Sequence, residues 1–242
     1  MKIIGVIPAR YGSTRFPGKP LALIRGKSMI EHVYRGCGQS TKLSQLVVAT
    51  DDRRIADHVL DFGGKAIMTS SGHVSGTSRC EEACRLLGGA DWCINIQGDE
   101  PLIRGKLLDD FIGKFAHFPA EAVLTLVRQL REEHLIYSPN TVKCVRDRND
   151  KALYFSRSVI PHPRSQTTPA YYQHIGIYAY PIPVLKAITG LEPTPLEQAE
   201  SLEQLRWMEH GFPVYTFLTD YIAHGVDVPE DIGRIEEMMG RQ

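Results

Sequence analysis

No stretch of this 242-residue chain contains the roughly 18 to 20 consecutive apolar residues that a membrane-spanning helix needs. Neither sign of charge prevails, since 28 Lys and Arg face 28 Asp and Glu. The first absence excludes a helical membrane protein. The second removes the global field that would recommend nucleic acid or an anionic membrane as a partner, so any charge logic must be local. Cysteine is scarce: Cys37, Cys80, Cys84, Cys93 and Cys144 form no CxxC pair and leave an odd count. Neither a disulfide framework nor a thiolate zinc site is supported by that pattern. Met1 leads into an apolar run without a signal-peptide pattern, and the expectation is a cytoplasmic protein. Both common phosphate fingerprints, GxxxxGK[ST] and GxGxxG, are missing as well.

What is present is a globular composition, 43% hydrophobic and 23% charged, long enough for a substantial core. Short apolar runs at 3–7, 46–50, 65–69, 92–97 and 122–127 read as strands. Between them, Met29, Ile30, Val33 and Tyr34, then Ile55, Ala56, Val59 and Leu60, recur at helical spacing. That alternation predicts an α/β fold with a doubly wound, mostly parallel sheet. From about Asn140 the pattern turns to paired strands around the turn-forming DRND, which predicts a small inserted antiparallel lobe over about 140–180 in a single domain spanning 1–242. A helix over 196–210 and a last helix beginning near Pro229 complete the expectation.

The opening stretch joins two unlike materials. Ile3 to Ile7 is apolar, whereas PARYGSTRFPGKP sets Arg10, Arg15 and Lys19 among Gly12, Ser13 and Gly18. A strand that ends in a basic, glycine-bearing loop before a helix lies at the carboxyl edge of the sheet, where open α/β folds place their ligands. Backbone N–H groups at Gly12 and Ser13 could cradle phosphate oxygens while the three cations supply charge. A stiff solvated loop is the plain alternative. Three cations directly after the first strand favour the phosphate.

This loop resembles the signature of the sugar-activating cytidylyltransferases, in particular the 3-deoxy-manno-octulosonate cytidylyltransferase family. Further similar stretches follow in the family's order: VATDD at 48–52, HVSGTSR at 73–79, NIQGDEPLI at 95–103, ALYFSR at 152–157, HIGIYAY at 174–180, LEQLR at 202–206 and GVDVPED at 225–231. Ser78 stands where the family usually has an acidic residue, and Val228 where it usually has threonine.

The resemblance implies roles residue by residue. Asp99 and Asp227 would hold Mg²⁺, with Lys19 and Arg15 acting on the departing pyrophosphate. Arg10, Gly12, Ser13, Arg15, Lys19, Ser75, Gly76, Arg79 and Gln97 would bind the nucleotide, and Arg157, His174, Tyr178, Glu203 and Gln204 the sugar acid. Each has a plainer reading. Asp99 could belong to a solvated turn and Asp227 could cap the last helix, where Asp231 reads as a solvated first-turn acid. Ser75 or Thr77 could cap a helix ending near Leu87. Tyr178 could be a core aromatic, Arg157 a surface ion-pair partner, and Glu203 with Gln204 the wet face of a helix. His73 receives no role.

The implied reaction is CTP plus a 3-deoxy-ulosonic acid giving CMP-sugar and pyrophosphate, for lipopolysaccharide biosynthesis, in a homodimer with Mg²⁺ as cofactor and no nucleic acid or membrane partner. An 8-amino relative of the sugar remains an alternative substrate. Two rivals keep the fold: a glycosyltransferase, for which the usual DxD triplet is missing, and a nucleotide-sensing module, which would not require two remote metal carboxylates.

Overall fold

The computed structural model describes residues 1–12, 15–164 and 169–240, which fall into two compact units, 1–113 with 223–242 and 114–222. The first unit begins with β1 (Ile3–Ala9), whose Ile3, Ile4, Val6 and Ile7 are almost fully buried, as an inner parallel strand covered on both faces requires. β2 (Leu23–Ile24) and β3 (Lys27–Ser28) form a small antiparallel hairpin. α1 (Met29–Cys37), β4 (Gln45–Thr50), α2 (Arg53–Asp61), β5 (Ala66–Met68), α3 (Gly76–Leu86), β6 (Trp92–Asn95) and α4 (Gly105–Ile112) follow.

Local chemistry sets the helix starts. Side-chain oxygens of Ser28, Asp52 and Ser75 accept the N–H of Glu31, Arg54 and Ser78 and so cap α1, α2 and α3. Ile55, Ala56 and Val59 of α2 are buried, but Leu60, expected on the same stripe, is 57% exposed. The four strands pair in parallel in the order β6-β1-β4-β5. The chain thus builds outward from β1 to β5 and returns to the opposite side of β1. Such a reversal leaves a crevice beyond the strand ends, the usual ligand position in open sheets.

The second unit contains β7 (Val123–Leu130), α5 (Glu133–Tyr137), β8 (Lys143–Arg146), β9 (Ala152–Ser156), β10 (Tyr171–Pro181), α6 (Ile182–Ile188), α7 (Pro195–Glu200), α8 (Glu203–Glu209) and β11 (Val214–Leu218). β11 runs parallel to β7, β10 antiparallel to β7, and β8 antiparallel to both β10 and β9. The single helix expected over 196–210 is two helices. Ser201 stands between them at φ 53°, a left-handed conformation that a right-handed helix cannot propagate through. Arg206 forks onto Glu197 with two 2.6 Å bonds and ties α8 back to α7.

Residues 223–240 return to the first unit and end in α9 (Asp231–Gly240). Its start lies two residues beyond the expected Pro229. Val226 and Ile235 are buried with Ile24, Met29 and Leu102, which fastens this C-terminal segment beside the β2–β3 hairpin. Among the described residues no helix is long and apolar enough to cross a membrane.

Candidate active site

A cleft of about 320 Å³ opens in the first unit beyond the carboxyl ends of β1 and β6. Pro8, Ala9 and Arg10 line it from the end of β1, Arg15 and Lys19 from the opening loop, and Gln97, Gly98 and Asp99 from the segment after β6. His73 to Gly76 and Arg79 close one wall, and Asp227 reaches it from the segment before α9. Nine of the residues expected to bind nucleotide or metal therefore meet in one place. Gly12 is not among the lining residues, and a Cβ there would meet nothing within 4 Å, so the local structure gives no steric reason for glycine. Ser13 lies outside the described residues.

Two cation–carboxylate pairs organise the cleft. Lys19 Nζ donates to Asp99 Oδ2 at 2.7 Å and to the Val226 carbonyl at 2.8 Å. Arg15 Nη2 donates to Asp227 Oδ1 at 2.9 Å. The first pair is largely shielded and the second exposed, so solvent screens the Arg15 pair far more strongly. Backbone bonds hold the partners in place: Val226 N–H donates to the Asp99 carbonyl, and His224 N–H to Glu100 Oε2. Asp227 does not cap α9. Asp231 Oδ2 instead accepts the N–H groups of Asp227 and Val228. Burial works against the Asp231 charge, but those two N–H bonds and nearby Arg234 hold its carboxyl below the usual range.

The opening loop is braced from both ends. Gly18, at φ 72°, donates its N–H to the Tyr11 carbonyl at 2.9 Å, and a Cβ on it would sit 3.2 Å from the Tyr11 ring. Glycine is needed there for both conformation and space. Tyr11 in turn lies under the Arg54 guanidinium, 3.4 Å from ring centroid to Cζ, while Arg54 forks onto Asp52. Across the cleft, Ser75 caps α3, and a Cβ on Gly76 would come within 3.2 Å of Pro8. Arg79 is 4% exposed, with Nη1 donating to Thr69 Oγ1 at 2.6 Å and Nη2 3.4 Å from Asp51.

His73, to which the sequence assigned no role, lines the cleft. Its Nε2 lies 2.6 Å from Glu82 Oε2 and its Nδ1 3.0 Å from Ser78 Oγ. Contact with His73, together with the Ser70 N–H, holds the Glu82 carboxyl below its ordinary value. The only trace of this in the sequence is the spacing of Ser78 and Glu82, one helical turn apart on α3.

The residues expected to bind sugar all belong to the second unit. Arg157, just after β9, donates through Nε to the Glu200 carbonyl at 2.8 Å and through Nη1 to the Pro139 carbonyl at 3.2 Å. Its own carbonyl accepts from Lys143 Nζ, a fully buried ammonium that also bonds the Ser138 and Thr141 carbonyls. His174 packs edge-on against Phe155, with its Nε2 3.0 Å from Thr125 Oγ1. Burial pulls its pKa down to about 3 and pushes the Tyr178 hydroxyl up.

Tyr178 is buried between His174 and Trp207. Gln204 is not on a wet face of α8. It is 3% exposed, beside buried Leu205, and its Nε2 has no hydrogen-bond partner among the described residues. Glu203 is half-buried.

The cytidylyltransferase family profile matches residues 4–219. A 3-deoxy-manno-octulosonate cytidylyltransferase of Chlamydia abortus is 48% identical over 239 residues, covering 98% of this chain and 94% of the relative. One of Fusobacterium nucleatum is 46% identical, covering 97% and 96%. A solved CMP:2-keto-3-deoxy-manno-octonic acid synthetase complexed with CTP superposes with a TM-score of 0.94 at 44% identity, covering 100% of this chain and 99% of that one. A 4-diphosphocytidyl-2C-methyl-D-erythritol synthase from Anaerococcus prevotii shares the fold, with a TM-score of 0.65 at 13% identity. Matched along almost its whole length at close to half identity, the chain belongs to the 3-deoxy-manno-octulosonate cytidylyltransferase family.

Proposed function

We propose that this chain transfers CMP from CTP to the anomeric hydroxyl of 3-deoxy-manno-octulosonate and releases pyrophosphate. The supporting observation is the Lys19–Asp99 and Arg15–Asp227 arrangement, two cations and two carboxylates facing one cleft at the switch point of a parallel sheet. On binding CTP, Lys19 and Arg15 exchange carboxylate for phosphate oxygen and neutralise the charge that collects on the departing pyrophosphate.

The carboxylates of Asp99 and Asp227 line the same cleft, and this donor chemistry fits a hard, partly hydrated Mg²⁺ that completes its shell from phosphate and water. When bound, the ion would lower the charge barrier at the α-phosphate and the pKa of the attacking hydroxyl. The backbone of Ser75 and Gly76 reads the base, Gly76 allowing close approach, with Arg79 and Gln97 beside it. In the second unit, the Arg157 fork takes the sugar carboxylate. His174 is neutral at physiological pH, so its imidazole and the Gln204 amide, whose Nε2 has no partner among the described residues, serve as uncharged partners for sugar hydroxyls.

A pyrophosphate-release assay crossing four nucleoside triphosphates with a panel of ulosonic acids and a no-sugar blank tests the proposal. The expected result is release only with CTP and 3-deoxy-manno-octulosonate together. Preference for an 8-amino sugar would move the chain to that substrate, and release without sugar would overturn the transferase reading. On the family resemblance alone, the proposal extends to a cytoplasmic homodimer serving lipopolysaccharide biosynthesis, and sedimentation velocity checks the dimer.

A further inference from the structure

We propose that Lys143 and Glu200 are positioning residues for the sugar acid, acting through Arg157. The proposal rests on the reading that the Arg157 fork takes the sugar carboxylate. Lys143 lies on β8, paired with Ser156 of β9, and is fully buried. Its Nζ donates to the carbonyls of Ser138 at 2.9 Å, Thr141 at 2.6 Å and Arg157 at 2.5 Å. An ammonium has three N–H groups, and with all three taken Lys143 has no donor left for a substrate.

The ammonium instead ties two backbone segments together. Pro139, whose carbonyl accepts from Arg157 Nη1, stands between two of the residues that Lys143 holds, and the third is Arg157 itself. Glu200 fixes the same residue independently. Its Oε2 accepts the Arg157 N–H at 2.9 Å, its Oε1 the Ser156 hydroxyl at 2.6 Å, and its carbonyl the Arg157 Nε–H at 2.8 Å. Arg157 is thereby held at its N–H, its carbonyl and two guanidinium nitrogens, while Nη2 has no bond among the described residues. A long side chain held in this way gives up its rotamer freedom on folding rather than on binding, and its open edge keeps one direction. A lock for the sheet alone would not need a charge. Burial pulls the Lys143 pKa below its ordinary value, the Glu200 charge works against that shift, and the Arg157 charge adds to it. An apolar residue would fill the strand without this cost.

The test measures the sugar KM by pyrophosphate release at saturating CTP, with calorimetric CTP titration of the same samples. A partial folding defect lowers the rate but leaves KM unchanged. Lys143→Met and Glu200→Ala are each expected to raise the sugar KM about tenfold, the cost of a charged bond that loses its direction, with CTP affinity unchanged. Glu200→Gln, whose side-chain carbonyl can still accept the Arg157 N–H, should stay near the wild-type KM. In an Arg157→Ala background neither Lys143→Met nor Glu200→Ala should raise KM further, because a residue that acts only through Arg157 has nothing left to position. Where saturation is out of reach, the slope of rate against sugar per CTP-binding site replaces KM.

An unchanged sugar KM in Glu200→Ala overturns the proposal, as does a further rise in the Arg157→Ala background. Glu200→Gln as impaired as Glu200→Ala would overturn the route through its hydrogen bonds. Lys143→Met with an unchanged KM, or without a cooperative melting transition, would remove Lys143 and make its ammonium a requirement of the fold. Arg157→Ala with a wild-type sugar KM would count instead against the reading of Arg157, and wild-type enzyme that releases no pyrophosphate against the proposed function itself.

Discussion

Lys19 Nζ sits 2.7 Å from Asp99 Oδ2 and 2.8 Å from the carbonyl oxygen of Val226. One ammonium thus joins the opening loop, the end of β6 and the segment that carries Asp227. A cation so placed holds the carboxylate in the cleft, and phosphate oxygen is the group that would draw it away. Replacing Asp99 should therefore affect the chemical step more than nucleotide affinity.

For Asp99→Asn, kcat should fall by at least about a hundredfold, as expected when a charge acting mainly in the transition state is removed. The CTP dissociation constant from calorimetry should stay within a few-fold. Near-normal turnover would remove Asp99 from the proposed metal pair.

Lys19→Ala should weaken CTP much more than CMP, because CMP lacks the phosphates assigned to the opening loop. Competition titrations with both nucleotides measure the difference. Equal losses would point to disruption of the contact with Val226 rather than to a missing phosphate contact.

Arg157→Lys keeps the charge and removes the fork. Bonds to Glu200 and Pro139 orient the guanidinium, and lysine cannot reproduce that geometry. The sugar KM should rise by about tenfold, the cost of roughly one well-placed charged bond, with CTP affinity unchanged. Steady-state kinetics varying each substrate separately would place Arg157 in the nucleotide site if the opposite split appeared.

His174 gives a pH prediction. Burial lowers its pKa in the fold to about 3, against about 6.5 in an unfolded chain. Between those values the unfolded state binds more protons, so this contribution is intact above pH 6.5 and is lost as pH falls toward 3. The slope is at most about 1.4 kcal/mol per pH unit. The Tm difference between wild type and His174→Gln should narrow from pH 7 to pH 5. A constant difference would mean that the ring is not held neutral.

Much of the fold was legible because its causes are local. Apolar runs alternating with helical stripes mark the strands and helices of the first unit, and Ser28, Asp52 and Ser75 stand at helix starts as short oxygen-bearing side chains should. Three cations in a glycine-bearing loop after β1 likewise located one wall of the cleft.

Packing over long chain separations decided the rest. Nothing near Ser201 in the sequence announces a left-handed residue. The break follows from the turn into α8, which is bound back to α7 by Arg206. Gln204 looks polar enough for solvent, yet α8 turns it inward beside Leu205 and Trp207. Arg15 and Asp227 are 212 residues apart, and only the return of the C-terminal segment to the first unit makes them partners. His73 has no signal of its own, since a histidine acquires a role from what faces its two nitrogens. Sequence by itself determined which segments form strands and helices and which loop carries the charge, because those depend on neighbours along the chain. Tertiary structure alone decided which side chains meet, because hydrogen bonds and ion pairs depend on distance in space.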